Sequence, residues 1–208
     1  SSVTNEIGLE HDRRMMLIDS SGRFISQREA PKMSLIGSKI AQDGFIFYDK
    51  NDPNEYVFIP NQVEFEHQRT VTVWESQFEV MQISPKYVKW FNDFLRIDST
   101  LVKMNANTLR YKSINTSISK TLVSLADGYP YLIISQSSLD DLNSRMKVAI
   151  PMDRFRPNIV LNDCNPYEEE ELQTFKIGTI HFQMIKPCAR CVITTINQKT
   201  GEKLVEPL

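Results

Sequence analysis

The chain has 208 residues, enough for one large domain or two small ones, and its 41% hydrophobic and 24% charged residues are those of an ordinary soluble globular protein. The formal net charge of −2 excludes the basic surface typical of nucleic-acid-binding proteins. No apolar run approaches the roughly 18 residues of a membrane span. Three cysteines without framework spacing indicate a reducing compartment. We therefore expect no nucleic-acid and no membrane partner.

The first half of the chain is predicted to consist mainly of short β-strands. A Ser-Ser-Gly turn within residues 14–26 indicates a hairpin. Further strand signals are the apolar runs "GFIFYD" and "YVFIP", separated by the turn-forming "KNDPNE", and the alternating stretches "VEFEHQ", "RTVTVWES" and "FEVMQIS". Many short strands at this spacing predict a barrel or a sandwich.

Two segments have the apolar period of a helix. In "SPKYVKWFNDFL", Ser84 can act as N-cap, Pro85 suits the first turn, and one apolar stripe predicts a face buried in the core. In "SSLDDLNSRM", Ser137 with Asp140 resembles a capping box, which predicts a helix that starts at Ser137.

Strands return in the last third of the chain. In "RFRPNIVL", Pro157 blocks a helix and the following apolar residues start a strand; "EEEEL" is expected to be a solvated turn or short helix. A strand is predicted from Ile180 onwards, another in "CVITTI", and a hairpin loop with Gly201 in "NQKTG". A domain boundary near Ser99 divides the chain into residues 1–99 and 100–208.

Two cysteines stand three positions apart in "KPCARC". Cys188 and Cys191 form half of a zinc site, but a second close pair of ligands is missing. A thioredoxin-like redox pair needs a helix after the second cysteine, and "VITTI" is a poor helix start. Two further interpretations are two thiols without a role and a single thiolate ligand, the latter favoured by the neighbouring cations Arg190 and Lys186. The residues alone leave these interpretations open.

Two short loops carry groups suited to an anionic ligand. In "RFRPN", Arg156 can bind a phosphate through two hydrogen bonds, and the amide of Asn158 can bind the edge of a heterocycle. In "ADGYPY", Asp127 offers a carboxylate and Gly128 a backbone N–H. An Arg–carboxylate pair and an ordinary turn are the structural alternatives.

These segments resemble those of one known family. The start of the N-terminal β-barrel domain of MOSC (molybdenum cofactor sulfurase C-terminal) proteins is similar to "GLEHDRRMMLIDSSGRFISQREAPKM". Three further segments resemble the MOSC domain itself: "LADGYPYLIISQSSLDDLNSR", "RFRPNIVL" and "IGTIHFQMIKPCARCVITTINQKTG". Within that family the chain is similar to the mitochondrial amidoxime-reducing components and to bacterial reductases of N-hydroxylated bases. The implied fold is mainly β, with a MOSC-like β-barrel and a few helices.

The resemblance also implies a site. Cys191 would be the metal ligand and the catalytic residue, and Cys188 a bystander. The implied cofactor-binding residues are Arg13, Asp127, Gly128, Arg156, Asn158, Ala189 and Arg190. Of these, Gly128 and Ala189 could act only through their backbone. The implied cofactor is the molybdenum cofactor (molybdopterin), with an iron–sulfur cluster only in a separate or missing domain.

The implied function is reduction of small N-hydroxylated compounds, namely hydroxylaminopurines, amidoximes and hydroxylamines, as a detoxification in the bacterial cytoplasm. A flavin or iron–sulfur protein would donate the electrons. The alternative is a module that binds the cofactor or carries sulfur without turnover. Relatives have a "PVKS"-like loop before this segment and continue past "EPL". The resemblance therefore implies a chain truncated at both ends, with the C-terminal part of the MOSC domain missing, and suggests a fragment isolated inactive and without cofactor.

Overall fold

The computed structural model describes residues 3–105, 107–114 and 119–206. Its helices are α1 (Pro85–Leu95) and α2 (Gln136–Ser144), with short 3₁₀ turns at Pro31–Leu35, Met152–Arg154, Glu168–Glu170 and Val192–Thr195. Its strands are β1 (Thr4–Asn5), β2 (Gly8–Leu9), β3 (Met15–Ile18), β4 (Ile36–Ala41), β5 (Gly44–Asp49), β6 (Tyr56–Pro60), β7 (Phe65–Val73), β8 (Ser76–Ile83), β9 (Thr100–Lys103), β10 (Tyr111–Ile114), β11 (Ser119–Leu122), β12 (Ile133–Ser135), β13 (Ile159–Leu161), β14 (Thr174–Ile177) and β15 (Ile180–Gln183).

Two antiparallel sheets build the first half. One has the strand order β3-β9-β8-β7 and the other the order β4-β5-β6. The adjacent runs "GFIFYD" and "YVFIP" pair as β5 and β6, as predicted. A core cluster joins the two sheets to α1, with Leu17 from β3, Ile59 from β6, Ile83 from β8, Phe91 from α1 and Leu101 from β9.

Helix α1 forms where its apolar period predicts it. Ser84 occupies the N-cap position, Pro85 stands in the first turn, and Arg96 ends the helix in the left-handed conformation with a φ of 56°. Val88, Phe91 and Leu95 are buried, and the burial of each such side chain contributes roughly 1.5–3 kcal/mol. The aromatic residues of this segment therefore belong to the core.

The N-cap of helix α2 lies two residues earlier than predicted. The N-cap is Ser135, whose hydroxyl accepts the N–H of Ser138 at 3.0 Å, and not Ser137. Strand β12 ends at Ser135, so the chain passes directly from strand to helix. The helix connects β12 to β13, which run parallel with Ile133 opposite Ile159.

The mainly-β class is confirmed, but the expected closed barrel is not. In the described residues the strands form one four-stranded, one three-stranded and four two-stranded sheets, and the four-stranded sheet is open, with β3 and β7 at its edges. Several of the pairings are only two to four residues long.

One predicted strand in the last third is wrong. Residues 192–195 of "CVITTI" form a 3₁₀ turn because two threonine hydroxyls bond to nearby carbonyl groups: Thr194 to Cys191 at 2.9 Å and Thr195 to Val192 at 2.7 Å. Such local bonds compete with the sheet ladder that the β-branched side chains favour. The predicted turn at Gly201 has the expected positive φ, 74°.

The division into residues 1–99 and 100–208 stays a prediction. Strand β9, which begins at Thr100, pairs with β3 and β8 of the first half. In the part of the chain described here, no helix is long and apolar enough to span a membrane.

Candidate functional site

A cavity of about 1360 Å³ lies between segments from both halves of the chain. All eight residues that the sequence analysis assigned to the site line it: Arg13, Asp127, Gly128, Arg156, Asn158, Ala189, Arg190 and Cys191. Lys186 and Cys188 line it as well. The fold thus brings together residues separated by up to 178 positions, while their individual roles stay predictions.

Cys191 stands at the entry of the turn Val192–Thr195 and is half-buried. Its carbonyl oxygen accepts the backbone N–H of Thr194 at 3.1 Å and the hydroxyl of Thr194 at 2.9 Å. The buried side chain of Arg154 donates to the carbonyl oxygen of Thr194 at 3.2 Å. The position of the Cys191 thiol is therefore set by a local hydrogen-bonded turn.

Cys188 has a different environment. It is exposed, and its Sγ lies 3.8 Å from the carbonyl oxygen of Ala189. Both cysteines are free thiols. The two thiols of "KPCARC" are thus distinguished by burial and by the hydrogen bonds around them.

Arg28 contacts the Cys191 thiol and was not singled out from the sequence. Its Nη2 donates to Asp127 Oδ2 at 2.7 Å and lies 3.6 Å from Cys191 Sγ. Its guanidinium also lies over the indole of Trp74, 4.9 Å from the ring centroid. Burial disfavours the charged form, but the hydrogen bond and charge of Asp127 more than offset this, so the pKa of Arg28 is raised.

Asp12 joins two of the predicted residues and was also missed. Its Oδ2 accepts hydrogen bonds from Arg13 Nη1 and, at 3.1 Å, from Asn158 Nδ2. The Asn158 side-chain oxygen accepts the backbone N–H of Leu132 at 3.0 Å. One N–H of the Asn158 amide therefore stays available to a ligand, while the rest of the amide fixes the loop before β13.

Arg156 supplies positive charge without a matching carboxylate. Its backbone has a left-handed φ of 54°, and within the described ranges its guanidinium makes no hydrogen bond or ion pair. Arg156 is exposed to solvent, and the partial loss of its hydration together with the charge of Arg13 lowers its pKa. Arg190 stacks over Phe155, 4.9 Å from the ring centroid. The cavity wall thus carries more cations than paired anions, which suits an anionic ligand.

The loop that carries Asp127 and Gly128 rests on a buried arginine. Arg110 is 1% exposed, and its Nη1 donates to the carbonyl oxygens of Ser124 at 2.8 Å and Ala126 at 2.5 Å. Among the described residues its Nε and Nη2 have no hydrogen-bond partner, and burial lowers the pKa of Arg110. In the residues described, no group of three or more His, Cys, Asp or Glu side chains could hold a metal together.

Two domain families match the sequence. The MOSC N-terminal beta barrel domain matches residues 1–98 and the MOSC domain matches residues 120–207. The chain carries both domains of a MOSC protein.

Curated relatives of this MOSC protein have two kinds of name. Mitochondrial amidoxime reducing component 2 of Homo sapiens is 29% identical over 195 residues, which are 91% of this chain and 58% of that protein. Molybdenum cofactor sulfurase of Drosophila willistoni is 26% identical over 206 residues, and that of Solanum lycopersicum is 27% identical over 228 residues; each match covers 97% of this chain, but 25% and 27% of the respective sulfurase. The chain therefore spans a little over half the length of the first relative and about a quarter of the sulfurases.

One solved structure, a protein of Bordetella bronchiseptica, aligns with 49% of this chain and 85% of its own at 12% identity. The TM-score of 0.39 is too low to establish a common fold.

Residues from both halves of the MOSC protein form hydrogen bonds to each other in the cavity wall beside Arg28. The side-chain amides of Gln27 and Gln198 hydrogen-bond to each other, with Gln198 Nε2 3.0 Å from Gln27 Oε1. Lys50 Nζ donates to the carbonyl oxygen of Gln198 at 3.3 Å and to that of Ser34 at 2.6 Å. These bonds fix the segment after Cys191 against the loop that carries Arg28.

Proposed function

We propose that this MOSC protein binds a molybdenum cofactor in the cavity and reduces small N-hydroxylated compounds, such as hydroxylaminopurines, amidoximes and hydroxylamines. One observation carries the proposal: the Cys191 thiol and the surplus guanidinium groups line the same cavity. The names of the relatives, amidoxime reducing component and molybdenum cofactor sulfurase, support it. In the reaction, an N–OH group, two electrons and two protons give an N–H group and water.

The residues present fit such a cofactor. Molybdopterin carries a phosphate, and a planar guanidinium binds phosphate through two parallel hydrogen bonds. Arg156 has no other partner in the described residues, so its donors are free for that role. Arg13 is engaged with Asp12 and contributes its charge. Asn158 offers its remaining N–H to the pterin edge.

In this proposal Cys191 is the metal ligand. A thiolate is a suitable ligand for a soft or high-valent transition metal, and the turn at residues 192–195 holds the thiol in place. A molybdenum centre bound there would supply the two-electron reduction. Asp127 binds Arg28 and so orients the cation beside the sulfur.

The test is metal and pterin analysis of the full-length protein, followed by reduction of a hydroxylaminopurine with a chemical electron donor. We expect about one molybdenum per chain, loss of both metal and activity in Cys191→Ala, and wild-type values in Cys188→Ala. Cys188 is a matched control because it lies three positions away and is exposed. Equal losses in the two variants would instead support a redox pair.

A second candidate is a module that binds the cofactor or carries sulfur without turnover. It is favoured by the sulfurases, whose matches extend over 97% of this chain. Delivery of cofactor or sulfur to a cofactor-free acceptor enzyme, without reduction of hydroxylaminopurine, would support this candidate. The proposal of a reductase includes a flavin or iron–sulfur protein as electron donor and the bacterial cytoplasm as location.

A further inference from the structure

We infer that Arg28 is a positioning residue for the metal-binding sulfur: it holds Cys191 toward the cavity and donates a hydrogen bond to its Sγ. The inference rests on the proposed function, because it concerns the sulfur in its metal-bound state. Arg28 belongs to the first half of the chain, whereas the predicted metal ligand Cys191 belongs to the second half.

Arg28 is held on several sides before any ligand arrives. Nη2 donates to Asp127 at 2.7 Å, Nη1 lies 3.3 Å from Ser26 Oγ, and the guanidinium plane covers the indole of Trp74 at 4.9 Å. The side chain is 18% exposed. With these contacts few rotamers remain, so the N–H that faces Cys191 Sγ at 3.6 Å is preorganised.

The backbone around Arg28 is also fixed relative to Cys191. Ser26 donates to Glu29 through its hydroxyl at 2.6 Å and through its N–H at 3.0 Å, which closes the loop. Gln27, the residue before Arg28, hydrogen-bonds to Gln198, seven positions after Cys191. The approach of Arg28 to the sulfur is thus fixed by the packing of both segments.

A hydrogen bond to a metal-bound thiolate withdraws electron density from the sulfur, and such bonds tune the potential of metal centres. Without Arg28 the sulfur would be a stronger donor, which stabilises the oxidised metal and lowers the midpoint potential. A lysine at position 28 keeps the charge but lacks the planar group that reaches Asp127 and Cys191 together while it stacks on Trp74. It should restore only part of the effect.

The experiment compares Arg28→Gln and Arg28→Lys with Arg69→Gln in the full-length, metal-loaded protein. Arg69 is exposed on β7, where it binds Gln82, so its replacement makes the same change of charge away from the cavity. Per bound molybdenum, we expect Arg28→Gln to shift the Mo(V) electron paramagnetic resonance spectrum and to lower the midpoint potential. Arg28→Lys should lie in between, and Arg69→Gln should match the wild type.

The molybdenum content, the melting temperature and the spectrum of the variants together distinguish the possible results. If Arg28→Gln releases molybdenum with an unchanged melting temperature, the holding role is supported; if it unfolds, the spectrum of Arg28→Lys decides. A molybdenum-loaded wild type whose spectrum and potential are unchanged by either substitution at Arg28 would overturn this inference alone. A wild type without molybdenum would overturn the proposed function and this inference with it.

Discussion

Gln27 and Gln198 are 171 residues apart and hydrogen-bond to each other through buried side-chain amides, with donor–acceptor distances of 3.0 and 3.4 Å. Both amides are almost fully shielded from water. Removal of Gln198 would leave the Gln27 amide without a partner, whereas Gln198 Nε2 also donates to the carbonyl oxygen of Ile196 at 3.2 Å. Their pairing ties the loop of Arg28 to the segment after Cys191.

The first prediction concerns this pair. We expect Gln27→Ala and Gln198→Ala each to lower the free energy of unfolding by roughly 1–3 kcal/mol, the cost of an unsatisfied buried polar group plus lost contacts. The double variant should cost less than the sum, because the second substitution removes the orphaned partner. Urea unfolding measures this. Gln77→Ala, at an exposed position on β8, is the control and should change stability by less than about 0.5 kcal/mol.

The second prediction concerns Arg110. Its replacement by alanine removes the donor of two carbonyl groups, those of Ser124 and Ala126, and leaves a cavity in the core. We expect a loss on the order of 3 kcal/mol in urea unfolding. Because the Asp127 loop follows directly, its amides should also exchange hydrogen faster. Unchanged exchange at residues 124–128 would contradict the positioning part of this prediction.

Arg110→Met separates charge from shape. Methionine fills similar space and removes a buried cation whose Nε and Nη2 lack a hydrogen-bond partner in the described part of the chain. Replacement of a buried charge by an apolar side chain can be neutral or stabilising. We therefore expect Arg110→Met to be more stable than Arg110→Ala but to show the same faster exchange in the Asp127 loop.

Features with a local signal could be predicted from the sequence. Helix α1 has an apolar period and a proline in its first turn, and its bounds agree with the expectation. The strand predicted at residues 192–195 was wrong because threonine hydroxyls favour local bonds there over a ladder. The N-cap at Ser135 was missed because three serines follow one another at short spacing, and only the end of β12 selects among them.

The site was predictable only through family resemblance, which led to eight residues that line one cavity. Residues that act through long-range contacts were missed. Arg28 meets its partners 99 and 163 positions later, and Asp12 meets Asn158 146 positions later. Such contacts cannot be predicted from residue spacing in the sequence, because they depend on how the two halves of the chain pack together.

The third prediction concerns acid stability. Burial opposes ionisation of Glu169, which is 7% exposed, but the Ser135 N–H at 2.9 Å and the Ser138 hydroxyl at 2.8 Å more than offset this, so the pKa of Glu169 is lowered. The unfolded chain binds the proton more tightly than the folded one. This carboxylate therefore contributes its full stabilisation above a pH of about 4.5 and loses it as the pH falls through the folded pKa.

Glu169→Gln tests this directly. Glutamine keeps the size and one acceptor oxygen but does not titrate. We expect the variant to be less stable than the wild type at pH 7, and the difference to shrink as the pH falls below about 4.5. Thermal unfolding between pH 3 and pH 7 measures it, with Glu168→Gln on the exposed side of the same turn as control. A difference that is constant across this range would contradict the prediction.

The fourth prediction contrasts two glycines. A Cβ added to Gly128 would meet no heavy atom within 4 Å, whereas one added to Gly22 would lie 2.8 Å from the carbonyl oxygen of Thr70, at a φ of +80°. Gly128→Ala should be neutral or stabilising by up to about 1 kcal/mol, because it restricts the unfolded chain without a clash. Gly22→Ala should destabilise by about 2 kcal/mol or more, since strain and clash add. Thermal unfolding of the two variants distinguishes them, and a large loss in Gly128→Ala would show that this position depends on the absence of a side chain.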